Sequence, residues 1–193
     1  CDNSIKPQGL RPKPSMWASW KLWGALALVG SLIGLFAFGF TIDPKKVPSP
    51  LVGKPAPEFE VNLLAPASGT LQLAELRGKP VVLNFWASWC AECRVEAAVL
   101  EAFHHRHGLS GQVVVLGVAI QDTPQQAAAF AQRFGKSYLL GLDDAKGSIA
   151  IEYGIYGVPE TFLIDASGVI RKKHIGGVAT ELLEDFWAER KKL

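Results

Sequence analysis

Hydrophobic residues divide the chain into one long apolar segment and a following region of short alternating elements. The long segment, LWGALALVGSLIGLFAFGFTI, covers residues 22–42 and carries no charged residue. A helix of this length extends about 30 Å, which matches the hydrocarbon core of a bilayer. Its N-terminal end is rich in tryptophan, which suits the headgroup region. We therefore predict a transmembrane helix over residues 22–42.

A cleaved signal peptide is the competing interpretation, but FAFGFTIDPKK offers no small-residue cleavage site, so we expect an uncleaved signal anchor. More Lys and Arg residues precede the segment than follow it closely, which favours a short cytoplasmic segment at residues 1–21. Met16, the only methionine, would make a normal start, and this favours residues 1–15 being non-native. A lipidated start at Cys1 is an alternative that a membrane span would make redundant.

Two regions of different composition follow this segment. Residues 43–57, DPKKVPSPLVGKPAP, contain five prolines and no apolar periodicity, which favours an extended, semi-rigid tether. From residue 58 short apolar runs alternate with turn residues, so we assign residues 58–193 to one folded domain. From Asp43 onward there are 16 Lys+Arg and 17 Asp+Glu residues, so the domain is nearly neutral and no nucleic-acid partner is expected.

The domain has strand patterns of two kinds. Apolar residues alternate over 59–63, and with the following GTLQLAEL they predict a hairpin or edge strands. The runs VVLNFWA (81–87) and QVVVLGVAI (112–120) are apolar almost throughout, as in strands buried on both faces. SYLLGLDD predicts a further short strand, and ETFLIDASGVIRKKHIGG predicts two strands joined by a turn.

Helical patterns alternate with these strands. Residues 91–107 have helical periodicity, and the buried face is predicted to comprise Val95, Ala98, Val99, Ala102 and Phe103. A second helix starts at Pro124, with Asp122 or Thr123 as its N-cap, and the last starts at Thr180. The alternation indicates an α/β fold with a central mixed β-sheet flanked by helices.

Cys90 and Cys93 form a Cys-x-x-Cys pair at the start of the first helix of the domain. A zinc site would need two more ligands, and the helix would carry His104 and His107 roughly 15 Å or more away. A structural disulfide would close a very small ring and remove little chain entropy. A redox pair explains the position better, because a helix N-terminus stabilises a thiolate. Cys90 would attack, and Cys93 would resolve the mixed disulfide.

The motif order is similar to that of the thioredoxin superfamily. VGKPAPEFEV, VVLNFWASWCAECRVE and YGIYGVPETFLIDASGVI resemble its membrane-anchored branch for cytochrome c maturation, the CcmG/DsbE type related to ResA and TlpA, over residues 51–193. The resemblance implies a thioredoxin-like fold and a protein-disulfide reductase, held by a single pass in the bacterial inner membrane and facing the periplasm. Implied partners are apocytochrome c or its chaperone, and a membrane thiol electron donor. It implies no metal and no cofactor beyond the redox-active disulfide.

The resemblance also assigns residues that would receive a substrate. Val158 and Pro159 match the cis-proline loop, which would present backbone groups of Val158 to an extended peptide. Trp86 and Trp89 would form an apolar platform beside Cys90, although simple core packing also explains Trp86.

Four polar residues near the pair bear on its chemistry. Glu96 matches an acid of the ResA-type relatives, and partial desolvation would raise its pKa towards proton transfer. Glu160 follows the proline and would tune the pair or contact the partner. Asn84 stands where thioredoxins proper have a buried aspartate. Glu92 departs from the usual proline between the cysteines, and its charge opposes thiolate formation, which favours an electron donor.

Other functions remain open at this point. GKPAPEFEV also resembles the start of peroxiredoxins, but Ala87 and Ser88 precede Trp89 and Cys90 without the P-x-x-x-T-x-x-C pattern of those peroxidases. Two thiolates could instead bind copper(I) in an assembly factor. A general oxidase that installs disulfides is a third alternative, against which Glu92 argues.

Overall fold

The computed structural model describes residues 16–39 and 49–190, which belong to two compact units. The first unit contains one helix, α1 (Met16–Gly39). Its stretch Trp20–Gly39 has a mean hydropathy of 2.0 and is 0% buried, so it is long and apolar enough to cross a membrane. Residues 40–42 of the predicted span, residues 1–15 and residues 43–48 of the predicted tether lie outside the described residues, so these boundaries stay predictions.

The second unit contains seven strands and four helices. In chain order they are β1 (Glu60–Leu63), β2 (Thr70–Gln72), β3 (Val81–Trp86), α2 (Ala91–Phe103), β4 (Val114–Ala119), α3 (Pro124–Arg133), β5 (Leu139–Leu142), α4 (Ser148–Glu152), β6 (Glu160–Ile164), β7 (Ile170–Ile175) and α5 (Thr180–Glu189). A 3-10 turn, Leu73–Leu76, follows β2, and a π-helical turn, His104–Gly108, follows α2. The Thr123 hydroxyl caps α3 by accepting from the Gln126 N–H.

All seven strands form one mixed sheet with the order β2-β1-β5-β4-β3-β6-β7. β3, β4 and β5 run parallel, which requires crossover connections, and α2 and α3 lie in these connections. β1 and β2 add to one edge and β6 and β7 to the other, each pairing antiparallel. The predicted α/β architecture with a central mixed sheet is confirmed.

Side chains of the central strand β3 divide between two cores, because successive residues of a strand point to opposite faces. Val82 and Trp86 lie in the core formed with α2, α3 and α5, which we call the redox face of the sheet. Val81, Leu83 and Phe85 lie in the core formed with α4 and the 3-10 turn, which we call the opposite face. Every residue of β3 is buried, as the apolar run predicts.

The predicted buried face of α2 is wrong for most of its residues. Val95 is 77% exposed and Ala98 is also exposed. The residues that α2 buries are Cys93, Glu96, Ala97, Leu100 and Phe103. The hydrophobic pattern failed because Glu96 occupies a core position, where Asn84 and Val178 donate hydrogen bonds to its carboxylate. Val95, in contrast, faces solvent.

This assignment predicts opposite outcomes for two truncations on one helix. Leu100→Ala removes a side chain with no exposed surface and should lower the free energy of unfolding by about 2–5 kcal/mol. Val95→Ala, the matched control, should change it by less than about 0.5 kcal/mol. Urea unfolding followed by tryptophan fluorescence measures both. Equal losses in the two variants would contradict the assigned face.

Candidate redox site

The site is built on the junction between β3 and α2. Cys90 is the N-cap of α2, with extended backbone angles, and its sulfur accepts the Cys93 N–H at 3.1 Å. A disulfide joins Cys90 to Cys93, whose Cα atoms are 5.3 Å apart. Cys90 retains 5% exposure and Cys93 none, so only the first sulfur is accessible to another molecule. This asymmetry is what an attacking and a resolving thiol require.

The loop before the disulfide is held by the segment that follows β4. The Asp122 carboxylate accepts the Ser88 N–H at 2.6 Å and the Ser88 hydroxyl at 2.9 Å. The Trp89 indole N–H donates to the Gln121 carbonyl at 3.1 Å. These bonds fix the peptide that leads into Cys90, so the disulfide is presented by a rigid turn.

A second loop closes over the disulfide from the start of β6. The Val158–Pro159 peptide bond is cis. The Val158 carbonyl oxygen lies 3.6 Å from the Cys90 sulfur, and the Pro159 carbonyl accepts the Gly176 N–H at 2.9 Å. The structure therefore brings the predicted proline loop into contact with the predicted attacking cysteine.

The two tryptophans of the predicted platform occupy different environments. Trp89 is 57% exposed beside Cys90. Trp86 is fully buried on the redox face, where its ring packs at 5.1 Å from that of Phe130. Of the two, only Trp89 offers surface to a substrate, and core packing accounts for Trp86.

Glu96 is buried one helical turn behind Cys93, with 1% exposure. Its carboxylate accepts the Asn84 amide at 2.9 Å and the Val178 N–H at 3.0 Å. Burial raises the pKa of Glu96, and the Glu92 charge adds to the rise, whereas the two hydrogen bonds and the Lys136 charge oppose it. A carboxyl with a raised pKa, on the same helical face as Cys93, can exchange a proton with that thiol.

The structure does not bring Glu160 to the disulfide. It pairs with Phe85 across β6 and β3 and lies on the opposite face, with 1% exposure. Its carboxylate forms an ion pair of 2.7 Å with Lys173, whose ammonium also donates to the Gly154 carbonyl at 3.0 Å. The pair thus ties β7 to the segment that precedes Pro159, which is a structural role.

The histidines of the zinc alternative point elsewhere. His107 lies 3.1 Å from the Glu184 carboxylate, and the His104 ring lies 6.1 Å from the ring of Tyr138. Within residues 16–39 and 49–190, no three His, Cys, Asp or Glu side chains come together in a way that could hold a metal ion.

Three residues contribute to the site in ways that the sequence did not predict, although Asn84 was recognised there as the replacement of a buried aspartate. Asn84 binds Glu96 and also donates to the Thr161 hydroxyl at 3.1 Å, and a lone amide inside an apolar strand is the signal that marks it. Asp122 was expected only as a helix cap, yet it anchors Ser88. Lys136, which follows α3, is buried near Trp86, and nothing in the local pattern distinguishes it from a surface lysine.

Comparison with known proteins agrees with this geometry. Residues 52–173 match the AhpC/TSA family. The thiol:disulfide interchange protein DsbE of Allochromatium vinosum is 41% identical over 164 residues, which cover 85% of this chain and 86% of that protein. DsbE of Escherichia coli is 39% identical over 145 residues, which cover 74% and 75% respectively.

Solved structures show the same fold. A Chlorobium tepidum structure described as DsbE superposes with a TM-score of 0.65 at 27% identity, covering 72% of this chain and 96% of that one. A DsbF homologue from Corynebacterium diphtheriae gives 0.63 at 26% identity, covering 70% and 86%. The fold is therefore thioredoxin-like. The Cys-x-x-Cys disulfide at its helix N-terminus and the named thiol:disulfide interchange relatives together support a protein-disulfide reductase. The chain belongs to the AhpC/TSA family and to the DsbE type of thiol:disulfide interchange proteins.

Proposed function

We propose that this oxidoreductase donates electrons to the haem-site cysteines of apocytochrome c, or to a chaperone that carries them, on the periplasmic side of the bacterial inner membrane. The observation that carries the proposal is the arrangement around one disulfide. Cys90 is accessible beside the Val158 carbonyl, and Cys93 is buried with Glu96 directly behind it. Such a site can attack a protein disulfide at the surface and complete the exchange in the interior.

In the first step the reduced protein attacks. The Cys90 thiolate, at the N-terminus of α2, attacks one sulfur of the substrate disulfide. A bond forms between Cys90 and that sulfur, the substrate disulfide breaks, and the second substrate sulfur leaves as a thiolate. Val158 and Pro159 lie against Cys90, where their backbone groups would align an extended peptide for this attack.

In the second step Cys93 gives its proton to the Glu96 carboxylate and attacks the Cys90 sulfur. The mixed disulfide breaks, the Cys90–Cys93 disulfide forms, and the remaining substrate sulfur leaves as a thiolate. Two electrons have then passed from the protein to the substrate, and the disulfide state of the structure is the product. The raised pKa of Glu96 suits this step, because it lies closer to that of a thiol than an ordinary carboxyl does.

The direction of electron flow follows from the charge beside the pair. Glu92 is exposed in the first turn of α2, between the two cysteines. Its negative charge disfavours thiolates at both sulfurs, which destabilises the reduced form and makes it a better donor. A donor of this kind must be reduced again, and we assign that role to a membrane thiol electron donor.

The location rests on the N-terminal region. The apolar helix α1 supplies a single-pass anchor, with residues 22–42 as the span and residues 1–21 on the cytoplasmic side. The proline-rich stretch at residues 43–57 would then connect this anchor to the domain of residues 58–193. Gly53 and Ala56 donate their N–H groups to the Ile170 and Gly168 carbonyls, so the tether we propose is the part of this stretch that precedes Gly53.

Trapping of a substrate tests the first step. In Cys93→Ser the attack by Cys90 can occur but the mixed disulfide cannot resolve. The reduced full chain in detergent should therefore form a dithiothreitol-sensitive adduct with an oxidised peptide of the haem-attachment type, Cys-x-x-Cys-His. Non-reducing electrophoresis and mass spectrometry measure the adduct.

The matched control is Cys90→Ser, which should give at least tenfold less adduct because Cys93 has no exposed surface. Both variants carry Cys1→Ser, so that this third cysteine forms no adduct. Adducts through Cys93 would contradict the assigned roles. Oxidation of the wild-type dithiol faster by hydrogen peroxide than by the peptide would favour the peroxidase alternative instead.

Replacement of the proposed base tests the second step. Glu96→Gln keeps the shape of the side chain but cannot accept a proton, so resolution should slow by about 100-fold at pH 7. The loss should shrink above about pH 8.5, where a thiol ionises without a base. Stopped-flow tryptophan fluorescence measures the rate. Glu152→Gln, an exposed change on α4, is the control, and a wild-type rate in Glu96→Gln would refute the assignment.

A further inference from the structure

Lys136 is a charged residue placed where a charge is costly. It is 7% exposed, and its ammonium is buried without a hydrogen-bond acceptor. In the described part of the chain no carboxylate lies within 4.0 Å of it. Removal of an ammonium from water without a partner is strongly unfavourable. A side chain that merely filled space here would more favourably be apolar.

Aromatic rings surround this ammonium on the redox face. It lies 3.9 Å from the ring centre of Trp86 in β3, 5.5 Å from that of Phe130 in α3 and 5.6 Å from that of Tyr138. The negative faces of these rings offset part of the lost hydration. The Tyr138 hydroxyl, the Trp86 indole N–H and the His104 Nδ1 atom are also buried without a hydrogen-bond partner, so this region contains several polar groups that packing alone does not explain.

The charged groups that act on Lys136 come from α2. Burial lowers the pKa of Lys136 to about 7, and the Glu96 and Glu101 charges oppose this. Burial raises the pKa of Tyr138 well above its usual range, and the same two glutamates add to the rise. His104, whose ring lies 6.1 Å from that of Tyr138, has a pKa lowered by its own burial.

Geometry places Glu96 and Lys136 on one face of β3. Glu96 accepts from Asn84, and Lys136 lies over Trp86. Asn84 and Trp86 are two residues apart in this strand, so they point to the same face. Lys136 is the cationic group that lowers the pKa of the Glu96 carboxyl.

We propose that Lys136 is a positioning residue of the redox site, whose buried ammonium holds Glu96 as the carboxylate that accepts the Cys93 proton. The inference rests on the proton-accepting role of Glu96 proposed above. Lys136 touches neither the disulfide nor the substrate and acts only through Glu96. When Glu96 takes the proton, its negative charge disappears, and Lys136 then holds its own proton less tightly. Burial of a lysine at this position thereby couples two proton sites behind one thiol.

The test removes the charge and follows the pH dependence of resolution. In the full chain in detergent micelles, Lys136→Met should shift the acid limb of the rate of mixed-disulfide resolution upward by about one pH unit, since Glu96 then protonates more readily. At pH values below that limb the rate should fall about tenfold. Lys136→Arg, which keeps a cation, and Lys146→Met, which removes an exposed one, should keep the limb within about 0.3 unit of the wild type.

Two outcomes separate this inference from the proposed function. If Glu96→Gln abolishes the acid limb of the resolution rate but Lys136→Met leaves it unchanged, the inference is overturned and the role of Glu96 stands. A limb that Glu96→Gln leaves in place overturns both. A rate loss that is independent of pH would also overturn the inference, because a merely structural role predicts that result.

Stability gives a second readout that needs no substrate. The unfolded chain binds the Lys136 proton up to about pH 10.5, whereas the native state releases it near pH 7. Lys136 therefore contributes stability that is present above pH 10.5 and is lost as the pH falls through about 7. As the pH rises from about 7 to 10.5, the urea midpoint of the wild type should increase relative to that of Lys136→Met. The urea midpoint of Lys136→Gln should follow that of Lys136→Met. Parallel pH profiles of wild type and variants would contradict a buried, titrating ammonium.

Discussion

The structure depends on the placement of the α2 N-terminus directly at the end of β3. β3 is buried on both faces and paired on both edges, so its last residue is fixed in space. The chain needs only the short turn at 87–90 to begin the helix, and Cys90 supplies the cap by accepting the Cys93 N–H. Because the dipole and free N–H groups of α2 point at Cys90, the scaffold itself activates the sulfur that reacts.

The two faces of the sheet carry different kinds of buried polar group. The redox face carries the buried Cys93, Glu96 and Lys136, the groups to which we assign proton transfer. The opposite face carries the Glu160–Lys173 ion pair, which joins β7 to the chain before the cis-proline loop. The Glu160–Lys173 ion pair fixes the positions of the two segments that it joins. The charged groups of Glu96 and Lys136 are more than 4 Å apart, so they form no such ion pair. Burial of such groups without a close ion-pair partner costs stability, and in our proposal this cost accompanies proton transfer on the redox face.

The sequence predicts most of the architecture because strand burial and helix caps have strong local patterns. The apolar runs of β3 and β4, the Thr123 cap and the C-terminal hairpin are all recovered. Prediction fails where a polar residue is buried, since hydrophobic patterns place such residues at the surface. Glu96 therefore shifted the predicted face of α2, and Lys136 could not be recognised. The hydrogen-bond donors of Glu96 are Asn84 and Val178, 12 and 82 positions away in the chain. The ring nearest the Lys136 ammonium is that of Trp86, 50 positions away in β3, which only the folded sheet brings close.

The central claim is that the Cys90–Cys93 pair donates electrons. Its reduction potential, measured by equilibration of the protein with glutathione or dithiothreitol buffers, tests this most directly. The account predicts a value near or below about −220 mV, in the range of thioredoxin and the glutaredoxins. A value near about −120 mV, as in the strong oxidant DsbA, would mean that the protein installs disulfides and would contradict the account.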